Sequence, residues 1–228
     1  DHAWASNGSE FPATVELSLP QPPSVSRVIV YAAPPWQSQG TLVDYELSKA
    51  DRHKIDQEVE LIYSWFVDQL NWDKHPRYPL KIRIFGSSAA FSAYAPDLEP
   101  WNAQRSHYKP STREIVLRGE QLTDDTIATL RHEASHAILD MELRETPFWI
   151  NEGLAEVFES SGAQRGRLNV TPNPQWVEIL KLKLREGSLQ PLAYYFTIPD
   201  HQWRMVGRRE ERSYYMISWA MMSFLLST

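Results

Sequence analysis

The sequence predicts an α+β fold, with a twisted sheet and a covering helix from residues 1–122 packed against a mostly helical stretch from 123 to 228. Three observations carry this. Short apolar runs bounded by turn residues, the mark of strands, fall in the first half; one long run with apolar residues at three- and four-residue steps lies among them; and such helical steps dominate the second half. With 228 residues, 42% hydrophobic and 23% charged, the chain is long enough for one sizeable core and too short for two independent ones.

In chain order, residues 1–24 are polar and rich in Pro and Ser, with one alternating run, Thr14 to Leu19, that predicts an edge strand. Val25 to Ala32 predicts a second strand. From Ser48 to Trp72, Ile55, Val59, Ile62, Phe66 and Leu70 line one face of a long amphipathic helix ending before Pro76, and Leu61 and Trp65 widen that face. Leu80 to Phe85 alternates as a strand. Gln104 to Tyr108 and Arg113 to Leu117, separated by Lys109, Pro110 and Ser111, predict a hairpin. Asp124 to Met141 predicts a helix, opened by Thr123, Asp124 and Asp125, where acidic side chains favour the N-terminal dipole. A second helix has Thr146 as N-cap, Pro147 in its first turn and Gly162 as its stop, and a third runs from Pro174 to Glu186 between Asn173 and Gly187. Leu189 to Trp203, with two prolines and several aromatics, predicts a loop before a last helix from about Ser213.

Composition narrows the chemistry. Lys and Arg number 23 against 29 Asp and Glu, a net charge of −6, and no basic cluster is dense enough for a phosphate-binding stripe, so nucleic acid is not an expected partner. The one basic run, Arg204 to Arg212, is interleaved with Glu210 and Glu211 and reads as a solvated helix entry. Cysteine is absent, so a transition-metal site has only His and carboxylates to draw on. Tyr214 to Leu226 is too short and too interrupted by serines to span a bilayer. The start at Asp1 without Met suggests a processed export signal and a secreted or periplasmic location, and the end inside a helix suggests a natural chain that continues.

His132-Glu133-Ala134-Ser135-His136 is a His-Glu-x-x-His sequence in the middle of a predicted helix. One helical turn separates the two histidines, so both imidazoles leave the same side and can converge on one ion, with Glu133 beside them facing a metal-bound water. Two solvated surface histidines are the alternative. Against it, Glu152 and Glu156 lie four residues apart on the next helix, among mostly apolar positions where carboxylates are avoided unless engaged. Glu152 can supply a third ligand. Glu156, one turn further, can accept a hydrogen bond from the far nitrogen of a ligating histidine.

Over residues 123–226 these motifs resemble the gluzincin metallopeptidases, which include thermolysin-like enzymes, aminopeptidases and compact peptidase MA-like domains. In that family His-Glu-x-x-His is followed by a helix reading close to Trp-Leu-Asn-Glu-Gly-Leu-Ala-Glu, and Trp149 to Glu156 reproduces it closely, fifteen residues separating His136 from Glu152. The resemblance implies a thermolysin-like zincin catalytic domain spanning 1–228, and one zinc per chain on His132, His136 and Glu152. It further implies that Glu133 is the general base and that Glu156 orients His132. Tyr215, opening the run Met216 to Leu225, resembles the aminopeptidase Tyr that hydrogen-bonds the tetrahedral intermediate, with Tyr214 as the alternative; the Lys-Gly pair that follows that Tyr in the family is missing. Arg113 to Leu117 falls where the family presents an edge strand to an extended peptide. No Gly-Ala-Met-Glu-Asn-like segment precedes the zinc helix, so the resemblance implies an endopeptidase on a peptide or protein substrate. His201 is a weaker candidate oxyanion donor. Two rivals stand beside this reading: a catalytically silent zinc domain that binds a peptide or a surface, and a zinc hydrolase of non-peptide substrates.

Overall fold

The computed structural model describes residues 28–33, 39–43, 48–72, 80–85, 91, 94, 106–118, 122–143, 145–164 and 166–227, with side chains described outside 28–33, 39–43, 200 and 204–213. The run Thr14 to Leu19 lies outside them. The elements in order are β1 (Val28–Ala33), β2 (Gln39–Val43), α1 (Lys49–Leu70), β3 (Leu80–Phe85), β4 (His107–Lys109), β5 (Glu114–Arg118), α2 (Asp124–Glu142), α3 (Phe148–Glu159), β6 (Gly162–Gln164), β7 (Arg167–Asn169), α4 (Pro174–Arg185), α5 (Leu192–Thr197) and α6 (Asp200–Ser227). This is the expected α+β class.

The sheet has the order β2-β1-β3-β5-β4. It is mixed: β3 and β5 run parallel, and the other neighbours are antiparallel. Alternation sorts its side chains. Leu80, Ile82 and Ile84 of β3 and Ile115 and Leu117 of β5 form one face, where they bury against Ile55 and Val59 of α1 and Ile127, Leu130, Ala134 and Ala137 of α2. On the other face Phe85 and Val116 cluster with Phe91, and Arg83 Nε donates to Glu114 Oε1 at 2.7 Å in a buried ion pair.

Two corrections concern this sheet. Arg113 to Leu117 was the expected edge strand, but β5 is paired on both sides, by β3 and β4; among the described residues the edge on this side of the sheet is β4, and β2 is the other. The turn also sits later than the spacing suggests. Lys109 still pairs with Glu114, and Arg113 takes the left-handed conformation at φ 54°, so the second strand begins only at Glu114.

α1 follows the predicted face. Ser48 caps it, accepting from Asp51 N at 3.0 Å, and Asn71 ends it at φ 53°. Thr123 caps α2 and Asn173 caps α4, each through its side-chain oxygen. α3 starts one residue later than expected: Pro147, not Thr146, is the N-cap, and its carbonyl accepts from Ile150 N and Asn151 N. Its stop is not Gly162, which opens β6. Ser160 closes the helix instead, its hydroxyl donating to the carbonyls of Glu156 and Val157.

The predicted loop from Leu189 to Trp203 is largely helical, with α5 inside it and α6 beginning at Asp200 rather than near Ser213. Pro199 stands before the first turn, where a missing N–H costs nothing, and accepts from Gln202 N and Trp203 N. The aromatics are a core: Trp203 and Tyr195 bury with Phe148, Ile217 and Met221. The basic run therefore lies in the body of α6, not at its entry. α6 packs on α3, which packs on α2, and Trp219 and Met222 join Ile62, Phe66, Leu154 and Phe158 in the core between them. Among the described residues no helix is long and apolar enough to cross a membrane.

Candidate metal centre

α2 and α3 lie side by side, and their facing strips hold the predicted donors. His132 and His136, one turn apart on α2, have ring centroids 4.8 Å apart. Glu152 Oε2 stands 3.7 Å from Nε2 of each histidine. The three residues offer one ligand atom each within 4.8 Å of the others, close enough to hold a metal ion.

The chemistry of these atoms fits a cation. His132 Nδ1 lies 2.8 Å from Glu159 Oε2 and His136 Nδ1 lies 2.9 Å from Asn151 Oδ1. Both partners are acceptors, so in each neutral imidazole the proton belongs on Nδ1 and the Nε2 lone pair turns toward Glu152. Two lone pairs and a carboxylate oxygen thus meet at one point. Ligand atoms at 2.0–2.1 Å around a tetrahedral ion lie about 3.4 Å apart, so the observed 3.7 Å separations need only small adjustments.

The electrostatics agree. Burial works against charge on His132, but the carboxylates of Glu152 and Glu159, with those of Glu133 and Glu156, outweigh it and raise its pKa well above the usual imidazole value; the same negative field would draw a cation to the Nε2 atoms. Glu133 is buried beside it, and Tyr108 N of β4 donates to its Oε2 at 2.6 Å. Burial pushes the Glu133 carboxyl up to about 8; His132 and the Tyr108 N–H pull it down, and the charges of Glu152 and Glu159 push it up.

The remaining predicted residues are distributed as follows. Glu156 was expected on the far nitrogen of His132; the carboxylate found at hydrogen-bond distance from that nitrogen is Glu159, three residues on, with Glu156 in the same cluster. The strip is continuous, since Glu152, Glu156 and Glu159 are spaced four and three apart. His132 lies one turn before His136 on α2, and the partner at its Nδ1 comes from the last turn of α3. Tyr215 packs against Phe148, ring centroids 6.3 Å apart, where α6 meets the first turn of α3. Tyr214 turns to Trp203 and Tyr195. His201 is exposed at the start of α6.

Four contributors were not anticipated. Asn151 adjoins Glu152 inside the motif, and Glu159 extends its strip, so helical spacing could have raised both. Tyr108 and Arg131 could not be found that way, because their roles depend on residues distant in sequence. Arg131 Nη1 donates to Glu58 Oε2 of α1 at 3.0 Å, and its Nε donates to Phe158 O of α3 at 3.1 Å. That bond fixes the backbone next to Glu159. Beyond His136 a cavity of about 600 Å³ opens between the β4–β5 turn and the α2–α3 connection.

Glu159→Ala is expected to weaken metal affinity by roughly 10- to 100-fold, and Glu156→Ala by less, because Glu159 accepts from the far nitrogen of the candidate ligand His132. Competition against a chelator measures both. Equal losses, or a larger one for Glu156, would return the orienting role to Glu156.

Comparison with known proteins adds one finding: residues 126–228 match the model of a family described as a protein of unknown function (DUF1570). The matched stretch holds all three candidate ligands, Glu133, Glu159 and Tyr215, but not Tyr108 or Glu58. No curated protein and no solved structure matches the chain.

Proposed function

We propose that this chain is a zinc-dependent hydrolase of the gluzincin type that cleaves peptide bonds, with one zinc on His132, His136 and Glu152 and a thermolysin-like arrangement of sheet, cleft and zinc helices. One observation carries it: the Nε2 atoms of a His-Glu-x-x-His pair and a carboxylate from the next helix converge on one point beside a buried glutamate. His132, His136 and Glu152 would hold the zinc, which when bound would supply Lewis acidity to lower the pKa of a water and polarise a carbonyl.

The protein's own groups do the rest. Glu133 takes a proton from the water and passes it to the leaving amine, and the Tyr108 N–H holds its carboxylate in place through Oε2. Glu159 and Asn151 fix the two imidazoles. A glutamate so placed favours catalysis over a silent zinc domain, because a structural site has no use for a base. Turnover of a mixed peptide library, abolished by a chelator and restored by zinc, tests the reading.

Elemental analysis is expected to find one zinc per chain, and none in His136→Ala. Equal zinc in both proteins would rule out these ligands. Tyr215, one turn from Ser218 at the α3 contact, is read as the group that steadies the oxyanion; Tyr215→Phe should then lower kcat by roughly 100-fold or more at nearly constant KM, while Tyr214→Phe stays near the parent. Steady-state kinetics on both decides between the two tyrosines.

A further inference from the structure

The cavity beyond His136 has a wall of mixed character, part apolar and part polar, and is acidic at two places. Leu139, Leu143, Pro110 and Pro147 supply the apolar part, and Asp140 and Glu145 add two carboxylates; no Lys or Arg lines it among the described residues. Asp140 does not point at random, because Tyr108 Oη donates to its Oδ2 at 2.8 Å and ties it to the edge strand. Along α2 the residues His132, His136 and Asp140 succeed one another at four-residue steps, so the acid continues the strip that carries the ligands.

We propose that this cavity seats a cationic side chain of the substrate, Lys or Arg, close to the bond that is cut; this rests on the reading of the site as a peptide hydrolase. The match is one of form as well as charge. Lys and Arg carry a long aliphatic stem below a charged head, and the wall offers apolar surface for the stem and carboxylates for the head. A neutral apolar side chain would leave both carboxylates facing it, and an acidic one would meet like charge.

The distances are suitable. Asp140 lies about 6 Å along the helix axis from His136, one turn of four residues. An extended peptide advances about 3.3 Å per residue, so the acid sits within about two residues of the metal centre. Both carboxylates are exposed, so the cation stays partly hydrated and the preference is moderate and weakened by salt. Arg144, next to Glu145 in sequence, lies outside the described residues and is retained in every protein compared.

Zinc-loaded Glu133→Gln protein is titrated with fluorescent decapeptides, N-acetylated and C-amidated so that no terminal charge contributes, differing at one position among Arg, Lys, norleucine and Glu. At one position Arg and Lys are expected to bind roughly 3- to 30-fold more tightly than norleucine, and Glu more weakly still. The ratio should collapse toward one when Asp140→Asn and Glu145→Gln are combined, in protein that keeps its zinc, and should shrink as salt is raised. Equal affinity at every position, or a preference that survives the double substitution, overturns the assignment. Turnover of the same peptides by the unsubstituted protein separates the two ideas. Selective binding without cleavage of any peptide sinks the hydrolase and keeps the cavity's preference; cleavage of all peptides without regard to charge does the reverse.

Discussion

Glu133→Gln is expected to keep its metal and to lose at least ~100-fold of its turnover, the lower range for a positioned acid-base group. The amide fills the same space, and its oxygen can still accept from the Tyr108 N–H that now holds the carboxylate at 2.6 Å. What it cannot do is take a proton from water. Steady-state turnover and zinc content measured on one preparation separate loss of the base from loss of the site. Turnover equal to the parent's would leave Glu133 with a passive part.

The second large effect falls on stability. A Cβ on Gly153 would lie 2.5 Å from Ser218 O, 2.9 Å from Ser218 C and 2.6 Å from Met222 Cγ. The Met222 side chain can swing away, but the Ser218 carbonyl belongs to α6 and moves only with the helix. Gly153→Ala is therefore expected to cost about 3 kcal/mol, the upper end for overpacking, and to lower the melting temperature by roughly 6–12 °C. Metal affinity should fall as well, since Gly153 follows the candidate ligand Glu152. Chemical denaturation of the two proteins measures the difference. A stability within about 0.5 kcal/mol of the parent would show that α3 and α6 are not packed this closely.

How far the sequence could be read depends on whether the information was local. α1, α2 and α4 are set by caps and by apolar steps within one segment, and each appears within two residues of its expected bounds. β3 matches in full because Leu80 to Ile84 alternate apolar and charged residues within one short segment. β2 was not foreseen: Gln39-Gly40-Thr41-Leu42-Val43 has little apolar pattern of its own, and its strand is defined by pairing with β1. Which strand forms the edge was likewise hidden, because sheet order is a tertiary property and β3 is separated from β5 by β4 in the chain. The aromatic stretch before Ser213 looked like a loop because Trp203, Tyr195 and Phe148 reveal themselves as a core only when they meet.

The centre shows the same division. His132, Glu133, His136 and Glu152 were legible because helix geometry alone brings them to one side of each element. The partner of His132 was placed one turn too early on α3, at Glu156 instead of Glu159, because the crossing of two helices sets that distance and spacing along one of them does not. Tyr108 reaches Glu133 from the sheet, and no pattern in either segment announces the pairing.

The ties from Glu58 to Arg131 and from Tyr108 to Glu133 bear on any attempt to transplant this chemistry. A designer who moved only α2 and α3 onto another scaffold would carry over every candidate ligand. The graft would still lack the carboxylate that neutralises a buried guanidinium, and with it the anchored backbone beside Glu159. It would also lack the strand amide that aims the base. The smallest portable unit therefore comprises the two helices, the anchoring turn of α1 and the edge strand, and a graft without the last two is expected to bind metal loosely and to turn over poorly.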